Sequence, residues 1–187
     1  ELFENLDQSG LLDNTVVVIY GDHDARLPRK EYNYMYNYNK ETNEMYSKDD
    51  PNYKEYDSYQ YELGRKVPFI IWTKDMIGSK LNKKITDVKV MGMYDVQPTL
   101  GNMFGFYNKY QLGHDIFNIK SDNIVVFPTG NWVTNKVYYN SQKEEYLSLD
   151  GSAISEEEIK KNNEYASKLL NVSNNIIVYD LIGKQQQ

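Results

Sequence analysis

The stretch Thr15 to Tyr20, TVVVIY, constrains the fold more than any other. Val16, Val17, Val18 and Ile19 follow one another with no polar residue between them. β-branched side chains favour extended backbone. An apolar run without alternation suits a strand covered on both faces, as in a parallel sheet flanked by helices. Residues 67–72, VPFIIW, repeat the signal, and Pro68 stands near the start of the run, where a strand tolerates it. Two such runs predict an α/β fold with a mostly parallel sheet.

The rest of the composition narrows the class. The chain has 187 residues, 40% hydrophobic and 26% charged, which is enough for one globular unit with a core. The net charge of −6 argues against nucleic acid as a partner, since phosphate backbones need clustered Lys and Arg. With no cysteine, disulfides and thiolate metal sites are excluded. No segment approaches the roughly 18–20 consecutive apolar residues of a membrane span. The opening ELFENLDQSG has neither the basic nor the apolar region of a signal peptide. It reads as the middle of a helix, with Leu2, Phe3 and Leu6 on one face and Ser9-Gly10 ending it. The expectation is a piece of a longer protein whose export and membrane segments lie elsewhere.

Along the chain, Asp13-Asn14 reads as a turn into the first strand. Residues 31–62 are rich in Tyr, Asn and charge. They predict a polar, partly helical surface insertion, or a flap whose tyrosines contact sugar or glycerol. YDVQPTLGNMFGF predicts a helix with Asp95 as N-cap, Pro98 in its first turn and Gly105 at its end. Residues 124–149 hold short β runs split by turn residues, the pattern of hairpins in a small antiparallel sheet. Ser155 and Glu158 form a capping-box pattern ahead of a helical stripe at Ile159, Ala166, Leu169 and Leu170. Ser173 predicts the cap of one more short helix. No internal repeat or linker is evident. The organisation read here is residues 1–120 as an α/β core and 121–187 as a small sheet with C-terminal helices, in one structural unit.

The chemistry lies at the end of the first strand, where α/β sheets place their ligands. Gly21 permits a sharp turn, and Asp22 and His23 follow at once. An Asp oxygen and a His nitrogen suit Mn²⁺, Zn²⁺ or Fe²⁺. They leave a site incomplete, and Asp24 is the remaining local donor. The same pair could instead cap a helix or bind backbone. Arg26, Arg29 and Lys30 could neutralise a substrate phosphate, or form a solvated turn that balances the local acids. His114, the second of the two histidines, reads as a surface or packing residue. Asn171-Val172-Ser173 matches a glycosylation pattern that is common by chance.

Several segments together resemble the lipoteichoic acid synthase branch of the sulfatase and alkaline phosphatase superfamily. SGLLDNTVVVIYGDHD resembles its helix, strand and GDH metal motif. VPFIIW resembles the next core strand, YDVQPTLGNMFG the D-x-x-P-T-L helix and LGHDIF the G-x-D-L-F turn. TGNWVT resembles part of its small C-terminal sheet, and NVSNNIIVYDLI its terminal helix. The resemblance implies the C-terminal part of an alkaline phosphatase-like α/β/α domain, with a small antiparallel sheet and terminal helices. It implies a membrane-tethered enzyme on the extracellular face of the bacterial membrane. Such an enzyme moves glycerol phosphate from a phosphatidylglycerol headgroup through a Thr intermediate. It uses one divalent metal, typically Mn²⁺, with Mg²⁺ or Zn²⁺ as alternatives.

Only Asp22 and His23 of the family's metal ligands map onto this sequence. The Thr and the other site residues belong to the family's earlier half. The chain is therefore expected to be inactive alone, with the N-terminal half as its partner and a lipid headgroup or glycerol phosphate polymer as substrate. DARL after His23 departs from the family's common Tyr-Gly. The rival readings are a non-catalytic extracellular module binding glycan or teichoic acid, and a sulfatase or phosphatase of the same superfamily.

Overall fold

The structure is a computed structural model. It describes all residues except 25–26, 65, 75–89, 120–121 and 186–187, and omits the side chains of Ser58, Leu63 and Gln185. The chain divides into two compact units, Glu1–Lys84 and Ile85–Gln187. This division falls earlier than the 120/121 boundary read from the sequence. The D-x-x-P-T helix goes with the C-terminal sheet because its hydrogen bonds run to that part of the chain.

In the first unit, helix α1 (Leu2–Gln8) leads into strand β1 (Val16–Tyr20), which pairs with β4 (Phe69–Thr73). Tyr20 lies opposite Phe69 and Val16 opposite Thr73, so the pair is antiparallel. The parallel sheet expected from the apolar runs is not what joins these strands. An unbroken apolar run reports cover on both faces and carries no information about strand direction. Neither strand contains a buried residue, and Ile19 and Ile70 stay nearly half exposed. Phe3 of α1 packs edge-on against Trp72 at 5.0 Å. Lys74, just past β4, reaches Asp7 and Asp13 at 2.6 Å each, tying the end of β4 to the approach to β1.

Between β1 and β4 the chain makes an excursion with structure of its own. It holds α2 (Arg29–Asn37), the hairpin β2 (Tyr38–Asn39) and β3 (Glu44–Met45), and α3 (Ser58–Leu63). The partly helical expectation for 31–62 is met. Its interior is made of tyrosines and one asparagine. Tyr56 is stacked between Tyr32 and Tyr36 at 5.4 and 5.2 Å, with Tyr61 edge-on. Asn37 is fully buried. Its amide donates to Asn33 O, Asn33 Oδ1 and Lys54 O, and its Oδ1 accepts the Lys54 N–H. One side chain thereby fastens the end of α2 to a loop 17 residues on. Asp57 caps α3 in a capping box with Gln60.

In the second unit, a 3₁₀ turn (Met93–Asp95) runs into α4 (Val96–Phe104), which ends on Gly105 in the left-handed conformation, φ 75°. Strands β5 (Val125–Val126), β6 (Trp132–Val133), β7 (Val137–Asn140) and β8 (Glu145–Ser148) form an antiparallel sheet in that order. Helix α5 (Glu156–Val178) covers it, and the core joins Val126, Trp132, Val137 and Tyr139 to Ala166. Ser155 caps α5 by accepting the Glu158 N–H. The short helix expected after Ser173 does not exist separately, because α5 runs through Ser173 unbroken to Val178. No Gly or Pro interrupts that stretch, and the small propensity cost of Asn and Ser is too little to stop a packed helix.

Asp95 is the polar centre of this unit. It stands where an N-cap would, yet its side chain makes no cap bond to α4. Its fully buried carboxylate instead accepts three N–H groups, from Gly92, His114 and the Asn123 amide, at 2.8, 2.8 and 2.9 Å. A buried carboxylate is tolerated only with such donors. Gly113 is glycine because a Cβ there would collide with Tyr94 O and Asp95 Oδ1. Tyr94 adds a second tie, its hydroxyl accepting the Val126 N–H and donating to Ile124 O.

Two predictions arise from these packing choices. The Tyr56 hydroxyl is buried and has no hydrogen-bond partner among the described residues. Tyr56→Phe should therefore leave the stack intact and hold or raise stability by about 1 kcal/mol, whereas Tyr56→Ala should cost about 3–5 kcal/mol. Urea titration of both variants distinguishes them. Burial pushes the Tyr94 phenol above its ordinary value of 10.0, partly offset by the Val126 hydrogen bond. A raised folded-state pKa gives stability that is complete below the unfolded value and declines as pH rises past it. Tyr94→Phe should cost about 1–3 kcal/mol near neutrality and flatten the fall in melting temperature above pH 10.

Candidate functional site

The end of β1 is built by close packing. Gly21 has no positive φ, so backbone freedom is not why glycine stands there. A Cβ at that position would meet the Val67 side chain at 2.7 Å, while the Gly21 N–H bonds Pro68 O at 3.3 Å. Glycine lets the chain entering β4 press against the chain leaving β1. The residues that follow are thereby turned out of the strand.

Asp22 and His23 lie in the bend after Gly21, and both are exposed. Asp22 Oδ1 and His23 Nε2 are 3.7 Å apart. Two ligands each about 2.1 Å from a shared ion can be no more than about 4.2 Å apart, so this pair can hold one ion between them. His23 Nδ1 lies 2.6 Å from the backbone oxygen of Asp24. A carbonyl only accepts, so Nδ1 carries a proton, and in the neutral ring Nε2 then presents its lone pair. This is the usual division of labour in a metal-ligating histidine, one nitrogen fixed by a backbone acceptor and the other turned to the metal. Asp24 thus supports the site through its carbonyl. Sequence reasoning offered Asp24 as a side-chain donor and missed its carbonyl, because a backbone contact leaves no mark on residue choice.

Two donors do not close a site. Among the described residues there is no group of three or more His, Cys, Asp or Glu that could hold a metal. Of the expected phosphate contacts, Arg26 lies outside the described residues. Arg29 donates its Nε to Tyr56 O at 2.8 Å, so part of its fork ties α2 to the loop before α3. Lys30 is exposed in the first turn of α2. His114 is an exposed residue of the second unit. Its N–H serves Asp95 and its ring stacks on Tyr165 at 6.5 Å, in keeping with a surface or packing role.

The Tyr-rich excursion is anchored at this same strand end. Tyr61 OH donates to Leu27 O at 3.1 Å, joining α3 to the chain just past His23. Together with Gly21 on Val67, this draws both ends of the excursion to the Asp22–His23 bend.

The family model described as Sulfatase matches residues 1–106, from α1 through α4. The chain belongs to the sulfatase family. Its curated relatives include lipoteichoic acid synthase 2 of Bacillus subtilis (strain 168), 29% identical over 185 residues that cover 97% of this chain and 25% of that protein. Lipoteichoic acid synthase 1 of the same organism is 27% identical over 190 residues, 97% of this chain and 26% of that protein. The lipoteichoic acid synthase of Staphylococcus aureus (strain USA300) is 26% identical over 190 residues, 97% of this chain and 25% of that protein. This sulfatase-family chain therefore spans about a quarter of the length of the curated relatives it matches. The likeness extends beyond residue 106 and takes in the C-terminal sheet and α5.

The packing at Gly21 gives a direct test. Gly21→Ala should cost about 1–3 kcal/mol through overpacking against Val67. Amide shifts in a ¹H–¹⁵N spectrum should concentrate at residues 20–24 and 66–69. Unchanged melting and unchanged shifts would contradict the close approach.

Proposed function

We propose that this chain is the metal-binding, C-terminal portion of a transferase that moves glycerol phosphate from a phosphatidylglycerol headgroup. The observation that carries the reading is the convergence of Asp22 Oδ1 and His23 Nε2, with the His23 tautomer set by the Asp24 carbonyl. Likeness to three proteins named lipoteichoic acid synthases, over nearly the whole chain, supplies the substrate class.

A carboxylate and an imidazole fit a divalent ion such as manganese or zinc; it is the family resemblance that favours manganese, with magnesium or zinc as alternatives. When bound, such an ion neutralises charge on a transferring phosphoryl group and activates a hydroxyl. Asp22 contributes a carboxylate and His23 a neutral imidazole nitrogen. The Asp24 carbonyl keeps the proton on Nδ1. The remaining ligands and the threonine nucleophile come from polypeptide outside these 187 residues, and this chain alone is inactive. That polypeptide also covers the half-exposed apolar faces of β1 and β4, which then take their place in a larger, mostly parallel α/β sheet. Arg29, through its Nη groups, and Lys30 are the described residues that could meet a phosphate beside the bend; Arg26 follows His23 by three positions in sequence. The site works on the extracellular face of the bacterial membrane. Its membrane attachment lies elsewhere, since no helix among the described residues is long and apolar enough to cross a bilayer.

Calorimetric titration with Mn²⁺ should show weak binding to the wild-type chain and none to the Asp22→Ala, His23→Ala double variant. Binding should weaken in acid, because both ligands act deprotonated. Co-expression with the polypeptide that precedes Glu1 should yield glycerol phosphate transfer. The double variant should lower that transfer at least about 100-fold, the upper figure for losing a single supporting group around a metal. Full transfer by the double variant would sink the reading.

A further inference from the structure

Three aromatic side chains form a row across the C-terminal sheet. Trp132 pairs with Tyr139 and Tyr139 with Tyr146, so all three occupy one face of β6, β7 and β8. Trp132 is fully buried and stacks on Tyr139 at 5.4 Å, 15° from parallel. Its indole N–H donates to Asn163 Oδ1 of α5 at 2.7 Å. The row starts in the core and leaves it at β8, the edge strand, where Tyr146 is 55% exposed.

Between the outer end of this row and the first half of α5 runs a groove of about 740 Å³. The groove is shallow and open to solvent, so it meets a ligand on one side only. Tyr139 and Tyr146 line it from the sheet, and Ile159 and Asn163 from the helix. Charges of both signs complete the lining: Glu144, Glu156 and Glu164 against Lys160 and Lys168, a net of −1. A phosphate polymer would meet more carboxylates than ammonium groups there. A neutral, hydroxyl-rich ligand can use both kinds, donating to the carboxylates and accepting from the lysines. The tyrosine rings offer a flat apolar wall with a polar edge, suited to the C–H face of a pyranose.

The turn joining β7 to β8 fixes where Glu144 stands. Glu144 is held in the left-handed region at φ 56°, as Asn43 is at the same place in the β2–β3 turn, the geometry of a hairpin built on a type I turn. Asn140 Oδ1 accepts the N–H groups of Gln142 and Lys143 and so fixes the turn that presents Glu144 to the groove.

We propose that the groove between β8 and α5 binds a neutral sugar, with Tyr146 as the stacking surface and Glu144 as a hydroxyl acceptor. It needs no metal and no residue of the first unit, so it stands or falls apart from the transferase reading. The test is a ¹H–¹⁵N titration of the 187-residue chain with cellobiose in the presence of EDTA. Glycerol 3-phosphate serves as the anionic comparison. Saturable shifts are expected at residues 139, 144, 146 and 159–164, with glycerol 3-phosphate failing to displace cellobiose. Tyr146→Ala should weaken binding at least about tenfold, while Tyr146→Phe should keep it. Glu144→Gly should melt at the same or a higher temperature and still bind more weakly, which separates ligand binding from folding. No saturable shift with cellobiose, Tyr146→Ala or Glu144→Gly binding like wild type, or displacement by glycerol 3-phosphate would each overturn the proposal. So would cellobiose shifts confined to another part of the chain.

Discussion

The pairing of Tyr20 with Phe69 governs the first unit. It closes a gap of almost fifty residues in sequence and sets Gly21 against Val67. Contact that close leaves the chain no room to continue as a strand, so Asp22 and His23 are turned outward together. The metal-friendly pair is therefore a product of strand register. A slip of one residue would send each side chain of β4 to the opposite face, and Val67 would no longer define where β1 must end.

The second unit solves a different problem, that of holding a short helix, a long loop and a small sheet together. It does so with a buried anion. The three N–H groups that Asp95 collects come from positions 92, 114 and 123, the first within its own turn and the other two 19 and 28 residues on. Each would leave a costly unpaired group if the others moved. Thr99 extends the arrangement, donating to Asp95 O at 2.6 Å and accepting the Ile116 N–H. The polar groups here are satisfied as a set, which makes His114, Ile116 and Asn123 part of the architecture.

What could be read from the sequence followed the range of the interaction involved. The strands at 16–20 and 69–73, the helix ending at Gly105, the hairpins after 124 and the Ser155 cap are each specified by neighbours within a few residues. The antiparallel sense of β1 and β4 was hidden because an apolar run does not state which way its partner strand points. Asp95 was taken for a cap because its true partners lie up to 28 residues away. Asn37 was lost in a polar, Tyr-rich stretch for the same reason. At the candidate site the residue types were visible at Asp22 and His23. The Asp24 carbonyl that sets the histidine tautomer was not, since any residue could provide it.

The excursion between β1 and β4 leaves and returns at one place. Tyr61 meets Leu27, Arg29 meets Tyr56, and the chain re-enters the sheet beside Gly21. Closing a long loop costs only slightly more entropy than closing a short one, about 0.6 kcal/mol per doubling. Closure entropy therefore sets little limit on the length of residues 31–62. What binds them to the bend is enthalpic and local: Tyr56 holds Arg29 and Tyr61 holds Leu27, so those two contacts, and not the number of residues between them, decide how the bend is flanked.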